Sequence, residues 1–326
     1  MKFRTEIDIA QWSVRLEYSS RIVCLGSCFA TNIAQRLRRR RLNVVESPTG
    51  ILFNPASIAH AIESMSRAVE GVVAVDEAMM VDLDGCCVNY DFHSSIAGAT
   101  PSEAAKTMQE ALNVGGRALR DCDLLIVTLG TAWSYVHRAS GRVVANCHKQ
   151  PAQLFERRLL SVGEVVEALI SIVESVGCRV LFTISPVRHV GEGMEDNSLS
   201  KSILRVAVAE VVSKFSDRVA YFPAYEIMMD DLRDYRFYES DMVHPTQQAV
   251  DYIAAKFFDV ALSERAKQRM QQVERVVAAV EHRPFNPLSD SYKTFCRKQL
   301  EVIASLGDVN LNEEKEFFER KLQINV

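Results

Sequence analysis

Two short stretches, far apart in the chain, carry residue types that could act together as nucleophile and base. Gly26-Ser27-Cys28 sets a hydroxyl and a thiol side by side after a glycine. Asp241-Met242-Val243-His244-Pro245 sets a carboxylate three residues before an imidazole. A carboxylate so placed can accept from one imidazole nitrogen and leave the other facing a nucleophile, and it stabilises the imidazolium formed on proton transfer. Proline at a first helical position would fix the loop end that carries His244. A thiol at a helix N-terminus beside a histidine is expected to have a lowered pKa, and thiolate is the stronger nucleophile. A serine would instead depend wholly on His244 as general base. Taken alone, Asp241 would merely cap a helix and His244 would be a surface residue. The nucleophile-like turn gives the pair chemical meaning.

The elements that must position these groups alternate along the chain. A strand-like run, Ile22 to Leu25, enters the Gly26-Ser27-Cys28 turn, and a helix is predicted from Phe29 to about Arg40. Leu42 to Val45 reads as a second strand, followed by the turn Ser47-Pro48-Thr49-Gly50, and Asn54-Pro55 opens another helix. Residues 72 to 100 mix short β-like pieces with polar turns and resist placement. A helix from Pro101 to Arg120 leads into Leu124 to Leu129, apolar but for Thr128, as a strand buried on both faces should be. Helices at Val162–Ser175 and Lys201–Phe215 feed strands at Arg179–Ile184 and Val219–Phe222, and a last long helix runs from near His244-Pro245 to Leu262. This pattern predicts a three-layer, flavodoxin-like α/β fold, an open parallel sheet of about five strands with helices on both faces. From Ser263 onward the chain reads as a charged helical appendage, broken at Arg283 to Pro287. The expected division is therefore residues 1–262 and 263–326, with the appendage able to form a homodimer.

Composition excludes several classes. The chain has 326 residues, 48% hydrophobic and 25% charged, with a formal net charge of -4. That is globular usage, with no overall electrostatic case for nucleic acid or an anionic membrane. No stretch approaches the ~20 apolar residues of a membrane helix, and Met1 to Trp12 lacks the apolar core of a signal peptide. The expected setting is cytoplasmic. Eight cysteines form no CxxC pair and no zinc-type spacing with histidine, so reduced thiols are expected, not a disulfide framework. The basic run Arg36 to Arg41 ends the first predicted helix, where cations favour the helix dipole, and it reads as a solvated helix end.

In an open parallel sheet, ligands bind beyond the carboxyl ends of the strands. Ser27 and Cys28 lie at the end of the first strand and Gly50 after the second. Thr131 and Trp133 follow the third, Arg188 and His189 the fourth, and Asp241 and His244 precede the last helix.

Gly26-Ser27-Cys28-Phe29-Ala30 spells the signature of the GSCFA family, which resembles SGNH (GDSL-type) hydrolases. The resemblance continues through Gly50 to Pro55, Asp91 to Ser94 and Leu129 to Trp133. It includes Asn146 to Lys149, Ser185 to His189, Asp234 to Tyr238 and Asp241 to Pro245. It implies an SGNH-like acyl ester or thioester hydrolase with a nucleophile, histidine and aspartate, working on an acylated carbohydrate or small molecule without a cofactor. Ungapped alignment puts Cys28 on the SGNH nucleophile, whereas Ser27 takes that place only if the turn shifts by one residue. SGNH oxyanion holes use the nucleophile N–H, a glycine N–H and an asparagine. Gly50 fits the glycine. The third strand ends Gly130-Thr131-Ala132-Trp133 where relatives carry Gly-x-Asn, so Asn146, then Thr131, are the candidate substitutes. Arg188 and His189 are expected to line the pocket and to recognise an anionic or sugar group. His93 and His148 also lie in family-like motifs, but with His189 they lack the spacing of a metal site. Two alternatives stay open: an acyltransferase using the same site, and a non-catalytic scaffold that binds a carbohydrate or a protein.

Overall fold

A computed structural model describes residues 4–12, 15–71 and 75–323. The elements follow the order β1 (Arg21–Gly26), α1 (Cys28–Arg39), β2 (Asn43–Glu46), α2 (Pro55–Val69), β3 (Met80–Leu83), β4 (Cys86–Asn89), α3 (Pro101–Asp121) and β5 (Leu124–Leu129). Next come β6 (Trp133–His137), β7 (Arg142–Val144), β8 (Phe155–Leu159), α4 (Val162–Glu174), β9 (Arg179–Ile184), α5 (Met194–Lys214), β10 (Val219–Phe222) and the short α6 (Ala224–Glu226). The chain ends with α7 (Gln247–Ala261), α8 (Glu264–Glu281), α9 (Asp290–Ser305) and α10 (Asn312–Gln323).

The main sheet has five strands in the order β10-β9-β5-β1-β2. The β10–β9, β9–β5 and β5–β1 pairs are parallel. Side chains alternate faces along a strand, and both sets are buried here. Val23, Leu25, Leu125, Val127, Val180 and Phe182 pack with residues of α2, α3, α4 and α5. Ile22, Cys24, Leu124, Ile126 and Leu181, pointing the other way, are buried too. The result is a three-layer α/β fold, as the alternating pattern predicts. Numbered by parallel strand, its order is 2-1-3-4-5, so the direction of winding reverses between β1 and β5. The crevice at that switch point is where doubly wound sheets hold ligands.

Three regions depart from the expectations. The unplaced stretch 72–100 contains the antiparallel hairpin β3–β4, closed by a turn at Asp84-Gly85. Residues 133–159 form a second antiparallel sheet, β7-β6-β8, where the sequence reading has only the end of a strand and a loop. Helix α5 begins at Met194, seven residues earlier than expected.

The chain divides into two compact units. The first comprises residues 1–9, 21–34 and 44–254 and holds the main sheet; the second comprises 10–20, 35–43 and 255–326. Within the second unit the basic run is not a solvated helix end. Arg39 pairs with Glu281 at 3.0 Å and Arg40 with Glu274 at 2.7 Å, the latter guanidinium lying over the Phe258 ring. Arg41 binds Glu313 and the nearly buried Glu314. The second half of the run's charge is thus met by carboxylates of α8 and α10. Among the described residues no helix is long and apolar enough to cross a membrane.

Candidate functional site

The first unit brings the strand ends together. Gly26 closes β1 at φ 123°, and a Cβ there would lie 2.1 Å from Thr128 O, so only glycine permits this approach of β1 to β5. Ser27 then turns inward. Its N–H donates to Thr128 O at 3.0 Å, and its Oγ accepts the Phe29 N–H at 3.3 Å. With 1% exposure, Ser27 acts as a helix cap. Cys28, the first residue of α1, is the partly exposed member of the pair. Burial pushes its thiol pKa up, partly opposed by its own N–H, the charge of Lys201 and the Phe29 N–H. The expected lowered thiol pKa is therefore corrected: the helix N-terminus pulls in the expected direction, but desolvation is larger.

The imidazole expected at the other stretch is held as the residue types suggest. His244 Nδ1–H donates to Asp241 Oδ2 at 2.7 Å. The N–H groups of Val243 and His244 donate to Asp241 Oδ1 at 2.8 and 3.0 Å. The His244 N–H, the His244 ring and the Val243 N–H together hold the carboxyl pKa down to about 2. Nδ1 being the donor, Nε2 keeps its lone pair on a half-exposed ring. Pro245 is not the first helical residue. It pairs with Tyr238 in a β-bridge, and Thr246 precedes the helix, its Oγ1 accepting the Ala249 N–H. Arg188 supports the same loop. Its N–H donates to Val243 O, its Nη1 lies 3.4 Å from Met242 O, and its guanidinium sits 3.9 Å from the Tyr238 ring centroid. Those contacts make Arg188 a positioning group for the loop.

Three residues of α5 missing from the site reading support the loops that follow β5 and β9. Asn197, Ser200 and Lys201 are buried. Asn197 Oδ1 accepts the His189 N–H at 3.0 Å, and Ser200 Oγ accepts the Ala132 N–H at 2.7 Å. Lys201 Nζ donates to Gly130 O and Ser185 O, each at 2.7 Å, tying the end of β5 to that of β9. Burial depresses the Lys201 pKa to about 7, while the Cys28 thiol acts to raise it. The signal was present: Asn197, Ser200 and Lys201 share the helical face of Leu204, Ala207, Val208 and Val211. Polar residues extending an apolar stripe mark a helix that reaches beneath a site.

His189 stacks edge-on against Phe53, and its Nε2 is buried with no hydrogen-bond partner among the described residues. Burial, Lys201 and His244 lower its pKa to about 4, so the ring is neutral at pH 7. His189 thus senses both Lys201 and His244, and Lys201 senses Cys28. These four residues share one electrostatic neighbourhood. Among the described residues no hydrogen bond joins the His244 ring to Ser27 or Cys28.

The Gly50 N–H and the Thr131 hydroxyl, two of the expected oxyanion donors, already have partners within the protein. Gly50, at φ 83°, presses against His93, where a Cβ would lie 2.2 Å from the His93 Cβ, but its N–H donates to Ser47 O at 2.7 Å. Thr131 Oγ1 accepts the Trp133 N–H and contacts Ser200 Oγ, and its N–H shares Phe53 O with that of Gly130. Asn146 Oδ1 accepts the His148 N–H, and its own N–H donates to Tyr90 O. The Gly50 N–H is thus held within its own turn, and the contacts of the Asn146 carbonyl oxygen are local to its turn as well. His93 Nδ1 takes the Ser95 N–H, which leaves the ring proton on Nε2. His148 Nε2 meets Asn89 O at 2.8 Å, and its Nδ1 is buried with no partner among the described residues. Burial lowers the pKa of both rings, and His93 adds to the effect on His148. Among the described residues no group of three or more His, Cys, Asp or Glu side chains could hold a metal ion.

No curated protein matches the chain. Residues 273–324 match the C-terminal domain described for GSCFA domain proteins. The GSCFA family itself matches residues 21–257, a span that contains the β1 exit, α5 and the Asp241–His244 loop. The chain therefore belongs to the GSCFA family.

Proposed function

We propose that this protein is an SGNH-like acyl-transfer enzyme that hydrolyses an ester or thioester through an acyl-enzyme on Cys28. The Asp241–His244 pair carries the reading, because a 2.7 Å contact at Nδ1 leaves Nε2 as a base. Cys28 is preferred to Ser27 as nucleophile because it is partly exposed, whereas the Ser27 side chain is buried as a helix cap. The thiol proton passes to His244 Nε2 as sulfur bonds to the acyl carbon, and the Lys201 ammonium favours the thiolate. Collapse of the tetrahedral adduct breaks the bond to the leaving group, which takes the proton from His244. Water, deprotonated by the same ring, then releases the acid and restores the thiol. Catalytic hydrogen bonds tighten on substrate binding, so the ring is expected to close on Cys28 in the complex. The oxyanion would rest on the Cys28 N–H at the head of α1. An acylated carbohydrate or small molecule is the proposed substrate, and a sugar hydroxyl or amine replacing water would make the same site an acyltransferase.

A binding scaffold is the second reading, favoured by the engagement of the Gly50, Gly130 and Thr131 N–H groups in backbone hydrogen bonds. Assays with p-nitrophenyl acetate and short acyl-CoAs on Cys28→Ala, Ser27→Ala and His244→Ala separate the two. The hydrolase reading expects loss of turnover in the Cys28 and His244 variants and retention in Ser27→Ala. Unchanged turnover in His244→Ala would remove the mechanism.

A further inference from the structure

A pair of cysteines lies at the opposite end of the main sheet's strands from the candidate site, where β5 and β9 begin. Cys122 follows α3 and Cys178 precedes β9. Because β5 and β9 are parallel with Leu124 opposite Arg179, Cys178 lies opposite Asp123, and Cys122 is one residue further back. A strand spacing of about 4.8 Å and a rise of about 3.3 Å put their Cα atoms about 6 Å apart. A disulfide spans about 4.4–6.8 Å between Cα atoms. The side chains follow the backbone: the two Sγ atoms are 3.0 Å apart. Cys122 is 8% exposed, and Cys178 is more open. Arg218 donates to Val173 O and Cys178 O, which fixes a cation beside the pair.

We propose that Cys122 and Cys178 form a redox-active dithiol, a modification site where a hydroperoxide drives reversible disulfide formation between the starts of β5 and β9. Cys178 is the attacking sulfur. The Cys122 S–H donates to it and lowers its pKa, helped by the Cys178 and Leu125 N–H groups and by Arg218, against the effect of burial. Cys122 is shifted the other way by the same contact and by burial. A low-pKa thiolate with access to solvent beside a resolving cysteine is the arrangement of redox-responsive sites. The Cys178 thiolate attacks the peroxide, an S–O bond forming as the O–O bond breaks, to give a sulfenic acid and one molecule of water or alcohol. Cys122 then attacks the Cys178 sulfur, loses its proton and expels hydroxide, which leaves as water. Two thiols lose two electrons and two protons; the peroxide gains them. A dithiol reductant reverses the change. The proposal is independent of the hydrolase reading.

The test treats the reduced full-length chain with hydrogen peroxide under native conditions, followed by intact mass measurement and non-reducing peptide mapping. A mass loss of two hydrogens, a Cys122–Cys178 linked peptide and its disappearance with dithiothreitol are expected. Both Cys122→Ser and Cys178→Ser should reduce the yield of that peptide at least tenfold. In Cys122→Ser, dimedone should trap a sulfenic acid on Cys178. Exposed Cys86 reports that the oxidant has acted. Recovery of Cys122 and Cys178 as free thiols after Cys86 has been oxidised would overturn the proposal. So would a dimedone-inert Cys178 in Cys122→Ser.

Discussion

Lys201 and Arg41 are both cations drawn out of water, and the protein answers them differently. Arg41, in the second unit, meets the carboxylates of Glu313 and Glu314. Lys201, in the first, meets two backbone carbonyls, and among the described residues no carboxylate pairs with it. Carbonyl dipoles stabilise an ammonium less than a full negative charge does, so desolvation drags the Lys201 pKa to about 7. A matched cation is a structural device. An unmatched one beside a thiol is available to influence chemistry.

The largest effect that sharpens this contrast is on turnover. His244→Ala should lower kcat/KM for p-nitrophenyl acetate by about 10²–10⁴-fold, the usual contribution of a general base. Arg41→Met should leave turnover unchanged in the folded fraction. The second unit should respond in stability instead. Glu314 is 4% exposed and its partner Arg41 25% exposed. Removing one member of a fully buried pair costs about 3–5 kcal/mol, and solvent access at Arg41 brings the expectation for Glu314→Gln to about 1–3 kcal/mol. Urea denaturation measures it. A cost near zero would place Arg41 with ordinary surface charges.

A smaller effect should follow loss of the unmatched cation. Lys201→Met should slow iodoacetamide labelling of Cys28 about tenfold at pH 7, because the thiolate is the reacting form, with near-ultraviolet circular dichroism confirming the fold. An unchanged rate would break the contrast. The same variant reads out a pH dependence. Between about pH 7 and 10.5 the unfolded chain retains the lysine proton that the folded chain has released. Stability therefore rises with pH in that window, so wild type should gain on Lys201→Met from pH 7 upward and show a flat difference below it. The smallest expected effect is at Arg39→Ala. Both members of the Arg39–Glu281 pair are more than 60% exposed, and such pairs contribute about 0.2–1 kcal/mol.

The same contrast explains what could be read before the structure. Leu124 to Leu129 announces a central strand because five apolar residues broken only by Thr128 suit a segment covered on both faces, and β5 is buried throughout. Asp241 and His244 were legible because three peptide units of chain suffice to bring carboxylate and ring together, whatever the rest of the fold does. Lys201 was not. Its partners, Gly130 O and Ser185 O, are backbone atoms without sequence identity, and Met194-Glu195-Asp196-Asn197 resembles a polar loop until the face shared with Leu204 is traced. The small sheet β7-β6-β8 was hidden for a related reason: exposed Tyr135 and the charged Glu156, Arg157 and Arg158 interrupt its apolar pattern. Arg41 and Glu314 are separated by most of the chain, and no local pattern couples them. The engagement of the Gly50 N–H was not legible either, because a motif specifies a residue, whereas a hydrogen bond uses an N–H that the local turn can claim first.

Trapping the covalent intermediate tests the central claim most directly. The wild-type chain is mixed with excess p-nitrophenyl acetate, quenched in acid within the first turnovers and digested for peptide mass mapping. The account predicts a single acetyl group on Cys28, formed with a stoichiometric burst of nitrophenol and absent from Cys28→Ala. Steady turnover without an acetyl group on Cys28, or with the group on Ser27, would contradict it.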